Sequence, residues 1–282
     1  QLTILTIESS ISSDGKNYTV TKIGDQVFWG CNTLTEVTLP NTVKIIGYQA
    51  FCKCSKLTNV TIPEGVKKIG QSAFYGCSQL TSITIPSTIT DMDQAFSGNT
   101  ALSHVTLTNG ISNISNMAFK GCTGLTEIKV PESVGQIGPG AFNGCTNLKS
   151  VLLEKNIKTI NTNAFNDCTN LSDVKYNGYK TDWDKVTVNT TGNDTLTSEV
   201  QYLCDINFDL NGGTINGSGT MDKQTVYSNE KLGTAKCYQN DQTFVVPSDP
   251  VREGYTFLGW YQQDATAPTV LAEYVASDNV TF

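Results

Sequence analysis

The chain has 282 residues, of which 19 are basic and 26 are acidic, so its formal net charge is −7. Proteins that bind nucleic-acid phosphates need clustered Lys and Arg side chains, and this acidic balance argues against a nucleic-acid partner. No apolar stretch approaches the ~18 residues that a membrane span requires, and no basic segment followed by an apolar one opens the chain. We expect no membrane-spanning segment here, and we expect any export signal or anchor to lie outside these residues.

Three residue types recur along the chain with one spacing. Successive leucines lie 23, 23, 22, 23, 23 and 23 residues apart, and phenylalanines and cysteines keep the same interval. The positions are Leu34, Leu57, Leu80, Leu102, Leu125, Leu148 and Leu171; Phe28, Phe51, Phe74, Phe96, Phe119, Phe142 and Phe165; and Cys31, Cys54, Cys77, Cys122, Cys145 and Cys168. Asn99 occupies the cysteine position of the fourth unit, and Asn or Cys at this turn is typical of leucine-rich repeats.

The residue pattern of each unit predicts one short strand followed by a segment that returns to the start of the next strand. Leu57, Val60 and Ile62 alternate with polar residues, which is the period of a strand with one buried face. Pro63 ends the strand because proline cannot donate to a strand ladder. One unit alone could not bury its apolar side chains, whereas stacked units form a continuous Leu/Ile/Phe core. The sequence therefore predicts a solenoid.

The repeats resemble the BspA-type (treponemal) leucine-rich repeat family, whose hallmark is a 23-residue unit containing A-F-x-x-C. The resemblance covers about residues 18–176 and implies a mainly β, right-handed leucine-rich-repeat solenoid. We expect local distortions where the fourth unit is one residue short, around Asp91–Gln94, and where Thr108 and Glu154 replace the usual proline. The segments Leu2–Val20 and 177–203 are expected to cap the two ends of the core.

The character of the chain changes at about Asp205. Residues 206–213 read I-N-F-D-L-N-G-G, a strand that ends in an Asn-Gly turn, and Gly254-Tyr255-Thr256-Phe257 and Gly259-Trp260-Tyr261 follow. This segment resembles the Listeria–Bacteroides repeat (internalin B-repeat-like) family, which implies a small β-grasp-like module. We therefore expect a capped solenoid over residues 1–203 and a module over 204–282, and we expect the natural chain to continue beyond Phe282.

The positions of the cysteines indicate that most of them pack in the core rather than form disulfides or bind metal. Six of the nine stand at one repeat position, where a free thiol acts as a small buried apolar group. Cys204 and Cys237 lie outside the repeats, which leaves a disulfide between them open. The chain has no C-x-x-C pair and a single histidine, His104, and neither of its short Asp-rich turns fits a calcium loop. We expect no metal and no cofactor.

The candidate binding site is the set of residues that point outward from the predicted strands on the concave face. Adjacent strands lie ~4.8 Å apart, so seven of them form a face roughly 30 Å long. The candidate ligand-binding residues are Thr38, Asn59, Thr61, Ser82, Thr84, His104, Thr106, Glu127 and Lys129. The threonines have two interpretations: they stabilise the sheet by cross-strand hydrogen bonds, or they form a polar platform for a partner.

We do not expect catalysis on this face. Ser82, His104 and Glu127 are consecutive in one column, the order of a nucleophile, a base and an orienting carboxylate. However, a mid-strand serine has no strained elbow, and the ladder consumes the backbone N–H groups that an oxyanion hole needs. A surface pair between His104 and Glu127 is the simpler expectation. Glu127 and Asp173, two strands or roughly 10 Å apart, lie at the edge of the spacing that a glycosidase requires.

The family resemblance implies a bacterial cell-surface or secreted interaction protein, specifically an adhesin that binds a protein of a host or of a neighbouring cell through the solenoid. We expect an extracellular protein or glycan as the partner and a monomeric state. Two alternatives are kept: a glycan-binding module, and a passive spacer or stalk in a longer surface protein.

Overall fold

The structure is a computed structural model that describes residues 3–238, 242–254, 256–263, 265, 269, 271 and 274–282. Leu2 of the predicted N-terminal cap and Tyr255 of the aromatic signature lie outside the described residues. The chain divides into two compact units, Gln1–Val174 with Lys185–Val200 and Lys175–Asp184 with Gln201–Phe282. The expected boundary between residues 203 and 204 stays a prediction.

The first unit is the predicted solenoid, and each turn contributes a short strand to a front ladder. Alternation explains which side chains are buried: Val37 and Val60 pair in register and point inward, whereas Thr38 and Thr61 pair and point outward. The front strands, numbered along the chain, are β1 (Ile4–Thr6), β5 (Glu36–Thr38), β7 (Asn59–Thr61), β9 (Ser82–Ile85), β10 (His104–Leu107), β12 (Glu127–Val130), β14 (Ser150–Glu154) and β16 (Asp173–Tyr179).

The front ladder is interrupted, which the regular spacing does not predict. Its parallel pairing in the first unit forms the groups β1–β5–β7, β9–β10 and β12–β14. β7 lies beside β9 and β10 lies beside β12 without joining their ladders. The second interruption directly follows the short fourth repeat, whose strand lacks the usual terminal proline and ends before Thr108.

A second ladder forms on the return side of the solenoid. Its strands are β4 (Lys22–Ile23), β6 (Ile45–Ile46), β8 (Lys68–Ile69), β11 (Asn113–Ile114), β13 (Gln136–Ile137), β15 (Thr159–Ile160) and β17 (Thr187–Val188). They pair in parallel as β4–β6–β8 and as β11–β13–β15–β17. Two residues are too few to show a period of two, so the sequence indicates a return segment here but not a sheet. The exposed hairpin of β2 (Ser10–Ser13) and β3 (Lys16–Thr19) precedes the first full turn.

A stack of phenylalanine rings runs through the core of the solenoid. Adjacent rings are nearly parallel, with centroids 5.1–5.6 Å apart, from Phe28 in the first repeat to Phe165 in the last. Each fully buried ring contributes about 1.5–3 kcal/mol by leaving water. Because each ring stacks on the rings before and after it, one turn stabilises the next.

The repeated cysteines sit beside this stack and bond to its backbone. Five thiols donate to the carbonyl of the phenylalanine 26 residues earlier, at 3.1–3.3 Å. They are Cys54, Cys77, Cys122, Cys145 and Cys168, all of them buried and free. The packing role that the repeat position predicts is confirmed, and the weak S–H donor adds a hydrogen bond between turns.

Asn99 is the exception in the cysteine column. Its side chain is fully buried, and neither its Nδ2 nor its Oδ1 has a hydrogen-bond partner among the described residues. A buried polar group without a partner costs about 1–3 kcal/mol, because the hydrogen bonds that it makes to water in the unfolded chain are lost. The fourth repeat is therefore the least stable part of this column.

We predict that Asn99→Cys stabilises the solenoid by about 1–3 kcal/mol, because it removes two unpaired polar groups and restores the thiol of the column. The urea midpoint of unfolding checks this. The matched reverse change, Cys122→Asn, should lower the midpoint. A lower midpoint for Asn99→Cys would contradict the role assigned to this position.

Tight turns follow each phenylalanine and require left-handed backbone. One repeat position has φ between +58° and +74° in all seven turns, and glycine occupies it in five of them. The residues are Gly30, Lys53, Gly76, Gly98, Gly121, Gly144 and Asp167. A second left-handed position, four residues earlier, holds mostly side-chain-bearing residues such as Gln26, Ser72 and Met117. Nothing in these residue types signals a left-handed turn, so the sequence does not reveal it.

Gly121→Ala and Gly135→Ala form a matched pair that isolates this backbone requirement. At both positions a new Cβ would meet its nearest neighbour at 3.9 Å, but only Gly121 has a left-handed φ, +70°. We expect Gly121→Ala to destabilise the protein by about 1 kcal/mol more than Gly135→Ala, because a Cβ is strained in this conformation. Urea denaturation of both variants measures the difference, and equal midpoints would refute it.

Residues Lys185–Val200 close the last turn of the first unit. β17 adds a rung to the return ladder, and the helix α2 (Asp194–Glu199) follows it. The buried Asn193 side chain accepts from the Phe165 N–H at 3.0 Å and donates to the carbonyl oxygens of Asn161 and Asn189. These bonds satisfy backbone groups that a further repeat would otherwise pair.

The second unit contains a short helix and a small sheet. The helix α1 is Lys180–Trp183, and the strands are β18 (Val200–Asn207), β19 (Gln224–Tyr227) and β20 (Val280–Thr281). β18 pairs antiparallel with β19 and parallel with β20. Asp205 on β18 accepts hydrogen bonds from Tyr179, Lys223 and Thr225 at 2.6–3.0 Å. Burial alone would raise the pKa of its carboxyl, but these three donors outweigh burial and lower it.

Candidate binding face of the solenoid

The nine predicted site residues all lie on front strands, and all are exposed. They belong to β5 (Thr38), β7 (Asn59, Thr61), β9 (Ser82, Thr84), β10 (His104, Thr106) and β12 (Glu127, Lys129). Their exposure follows from the alternation along each strand, since the intervening residues fill the core. We call this set of outward side chains the front face.

Pairing brings some of these residues together and keeps others apart. Ser82 is the register partner of His104, and Thr84 is that of Thr106. Glu127 and Lys129 instead pair with Ser150 and Leu152 of β14, on the other side of the interruption between β10 and β12.

Two adjoining depressions lie at this interruption. One, of about 360 Å³, is lined by residues that include His104, Thr106, Glu127, Lys129 and Ser150. The other, of about 480 Å³, shares Thr106 and Lys129 and adds Asn109, Glu132 and Glu154. Val105, between the two predicted residues of β10, is only half-buried, although the equivalent Val60 and Ile128 are buried. The two depressions form because β10 and β12 do not pair and because Val105 is small and only partly buried.

The charges around the depressions are mostly negative. Lys129 Nζ lies 3.5 Å from Glu154 Oε1, and Lys155 Nζ lies 3.7 Å from Glu132 Oε1. Glu127 makes neither a hydrogen bond nor an ion pair within the described residues. The Lys155–Glu132 pair is exposed on both sides and contributes at most about 1 kcal/mol, so a partner can replace it at little cost, whereas the Glu154 side chain is only 19% exposed. The sequence missed Glu132 and Glu154 because they lie outside the two columns of alternating strand residues.

The threonine hydroxyls of the front face make no cross-strand hydrogen bonds in the described part of the chain. None of Thr38, Thr61, Thr84 and Thr106 bonds to a neighbouring strand through its side chain, whereas Thr35, Thr58 and Thr90 bond to backbone carbonyls of adjacent turns. The front hydroxyls are therefore free to bond to water or to a ligand.

The predicted surface pair between His104 and Glu127 is wrong. His104 Nδ1 lies 2.8 Å from the hydroxyl of its neighbour Ser103, and β10 and β12 do not join across the interruption. Ser82 is aligned with His104 but does not bond to it, so the three residues do not form a hydrogen-bonded relay. The backbone N–H groups of Ser103 and His104 both donate to Thr81 O and are not available to a developing oxyanion.

The structure also shows how the two candidate carboxylates of a glycosidase, Glu127 and Asp173, are arranged. Asp173 accepts a hydrogen bond from Ser150 Oγ at 2.9 Å, and Ser150 is the register partner of Glu127. Ser150 therefore stands between the two acids rather than leaving an open gap for a sugar ring.

Two family models match the chain. The BspA type Leucine rich repeat region matches residues 7–114 and 92–191, with six copies, and so covers well over half of the sequence. The chain belongs to the BspA-type leucine-rich repeat family. Residues 205–282 match the Listeria-Bacteroides repeat domain. Both resemblances noted in the sequence are confirmed.

Solved structures of bacterial leucine-rich repeat proteins are similar to this BspA-type chain. A leucine rich cell surface protein from Faecalibacterium prausnitzii A2-165 is 24% identical over 66% of this chain and 63% of that chain, with a TM-score of 0.40. The Leucine Rich Repeat protein of T. pallidum is 27% identical over 66% and 72% of the two chains, with a TM-score of 0.42. A leucine-rich repeat protein from Bacteroides capillosus is 36% identical over 37% and 76%, with a TM-score of 0.36. No curated protein matches the chain.

The BspA-type cysteines are poor nucleophiles here. Burial raises the pKa of the thiols of Cys54, Cys122 and Cys168 to about 12, so they stay protonated at neutral pH. Cys204 and Cys237 are free thiols, and the open alternative of a disulfide between them is not realised in the structure. Within the described residues no group of three His, Cys, Asp or Glu side chains could hold a metal ion, and no helix could span a membrane.

We expect iodoacetamide at pH 8 to modify the half-buried Cys31 and Cys237 first and to leave Cys122 and Cys168 protected until the repeats unfold, because alkylation requires an exposed thiolate. Mass spectrometry of a time course checks the order.

A thiol whose pKa rises from about 9 to about 12 on folding stabilises the fold fully below pH 9. The urea midpoint should accordingly fall as the pH rises from 9 towards 12. Equal alkylation rates for Cys31 and Cys122 would contradict the expected order of modification, and a urea midpoint that stays constant from pH 9 to pH 12 would contradict the effect of the buried thiols on stability.

Proposed function

We propose that this protein is a bacterial cell-surface or secreted interaction protein, an adhesin, whose front face binds an extracellular protein at the interruption between β10 and β12. One observation carries the proposal: His104, Thr106, Glu127 and Lys129 point outward around two adjoining depressions, and Thr106 and Glu127 have no side-chain partner among the residues that the structure describes. Exposed polar groups around a concavity are available to a ligand without breaking internal bonds.

The rigidity of the face supports a role in binding. Five of its nine side chains are the short Thr38, Thr61, Ser82, Thr84 and Thr106, which are fixed on strands, so ordering these five on association costs little conformational entropy. Within each paired group of strands, register also holds neighbouring hydroxyls at constant spacing, as for Thr38 with Thr61 and Thr84 with Thr106, which suits a partner with an extended backbone.

The charge of the face favours a basic partner. Glu127, Glu132 and Glu154 line the two depressions together with Lys129, and the exposed Lys155–Glu132 pair can exchange for a pair with an incoming Lys or Arg. Complementary charge raises the association rate and selects among partners.

A non-catalytic role is part of the proposal. The histidine of the suspected triad bonds to Ser103 rather than to Ser82 or Glu127, and burial raises the pKa of the repeat thiols that could act as nucleophiles. Family membership supports the surface location and the role as a scaffold, and the adhesin activity rests on the front face.

The test is binding of the chain to immobilised extracellular-matrix proteins, with a glycan array run in parallel. We expect saturable binding to a protein that weakens about tenfold or more, or about 1.4 kcal/mol, in Glu127→Lys, because the reversed charge opposes a basic partner. His104→Ala should weaken binding less, since it removes one exposed side chain.

Glu64→Lys is the matched control, because Glu64 is exposed and carries the same charge but lies in the turn after β7. Equal losses in Glu64→Lys and Glu127→Lys would mean that net charge, and not the front face, determines binding. Binding to glycans alone would replace the protein partner by the glycan alternative. If the variants are folded by circular dichroism and nothing binds, the spacer alternative takes the place of this proposal.

A further inference from the structure

The second unit has its own depression, separate from the front face. Its volume is about 340 Å³, and it lies between the turn Asp209–Gly213 and a wall formed by Pro250, Arg252 and residues 256–261. Seven of its thirteen lining residues are apolar or aromatic: Leu210, Pro250, Phe257, Leu258, Trp260, Tyr261 and Phe282. This volume is at the lower end of the range of ligand pockets, which suits a ligand with a single ring.

The wall contains a polar group without a partner. Trp260 is only 7% exposed and packs edge-on against Phe208 and Phe257, with ring centroids 5.1 and 5.4 Å away. Its indole Nε1–H has no hydrogen-bond partner among the described residues. Buried donors are nearly always paired, so an unpaired one in the wall of a depression indicates a place for an acceptor from a ligand.

The rim offers both an acceptor and a donor. Asp209 Oδ1 accepts from the Asn211 N–H at 2.9 Å, and Arg252 Nη1 donates to Asn211 O at 2.7 Å. Asn211 and Gly212 have left-handed φ values of +45° and +76°, and a Cβ added to Gly212 would lie 3.5 Å from Arg252 Cζ. The turn therefore holds the carboxylate and the guanidinium on either side of Asn211, at the mouth of the depression.

We infer that this depression binds one neutral sugar ring. The apolar face of a sugar packs on aromatic walls, and each hydroxyl can both donate and accept. A hydroxyl can accept from the Trp260 indole while another donates to Asp209, which uses the unpaired donor and the carboxylate together. This inference goes beyond the protein-binding role of the front face and concerns the other unit of the chain.

The same groups disfavour two other ligands. A carboxylate or phosphate would meet the negative charge of Asp209 at the mouth, where the Arg252 guanidinium is already engaged in a hydrogen bond to Asn211 O. A purely apolar ligand would leave the indole N–H unpaired and would desolvate Asp209 without replacing its hydrogen bonds with water. A neutral ligand with hydroxyl groups on an apolar ring satisfies the donor, the acceptor and the aromatic wall together.

The test uses the full ¹⁵N-labelled chain, titrated separately with the methyl glycosides of glucose, galactose, mannose and N-acetylglucosamine. Its readout is the indole N–H signals of the three tryptophans in the NMR spectrum, assigned with Trp→Phe variants at Trp29, Trp183 and Trp260. We expect at least one glycoside to shift the Trp260 signal saturably, with a Kd on the order of 1 mM. The Trp29 signal should not move.

Trp260→Phe keeps an aromatic ring but removes the N–H, and it should weaken the saturable shifts of backbone amides around the depression about tenfold. Because Trp260 also belongs to the core, Asp209→Ser serves as a second variant, since it keeps an acceptor for the turn and removes the carboxylate from an exposed position. It should weaken binding severalfold, and Trp29→Phe, the matched control outside the depression, should leave binding unchanged.

Several results would overturn the inference. They are the absence of any saturable shift at Trp260, unchanged affinity in both Trp260→Phe and Asp209→Ser, or a response only at Trp29. Stronger binding of the anionic sugar N-acetylneuraminate or of the apolar probe toluene than of every neutral glycoside would likewise replace the proposed ligand class.

Discussion

The stacking of one phenylalanine per turn is the interaction on which the solenoid depends. Seven rings from Phe28 to Phe165 lie 5.1–5.6 Å apart, each covered by its neighbours, and the thiol column ties successive turns to the same backbone. Because the interior supplies the stability, the outward side chains of the front strands are not needed to stabilise the fold. Their threonines, His104 and Glu127 can vary without loss of the fold, which is the property that a binding face requires.

The sequence predicted the parts of the fold that depend on repetition. The interval between Leu57 and Leu80, and its recurrence in the other units, predicts stacked turns, and the alternation around Val60 predicts which side chains point inward. The return ladder was not predictable, because strands such as β8 have only two residues. The left-handed turns at Gln26 and Ser72 were hidden for a different reason: their conformation is imposed by bonds to the next turn, and the side chains themselves carry no turn signal.

The candidate site was predictable in its members but not in its shape. Alternation placed His104, Thr106, Glu127 and Lys129 on the surface. It could not show that β10 and β12 fail to pair, which produces the depressions and leaves His104 bonded to Ser103. The depression in the second unit was still less accessible to sequence reasoning. It combines a turn near Asn211 with a distant segment around Trp260, and only the folded chain brings them together.

The short fourth repeat also bears on how the solenoid comes apart. In a linear array each turn is stabilised only by its two neighbours, so cooperativity is limited by the weakest junction. The turn of Asn99 lacks the thiol bond of the column, buries two unpaired polar atoms, and adjoins the break in the front ladder. The weakest junction therefore lies in the middle of the array rather than at its frayed ends. Under tension or mild denaturant the solenoid would separate there into two blocks, each retaining several stacked phenylalanines.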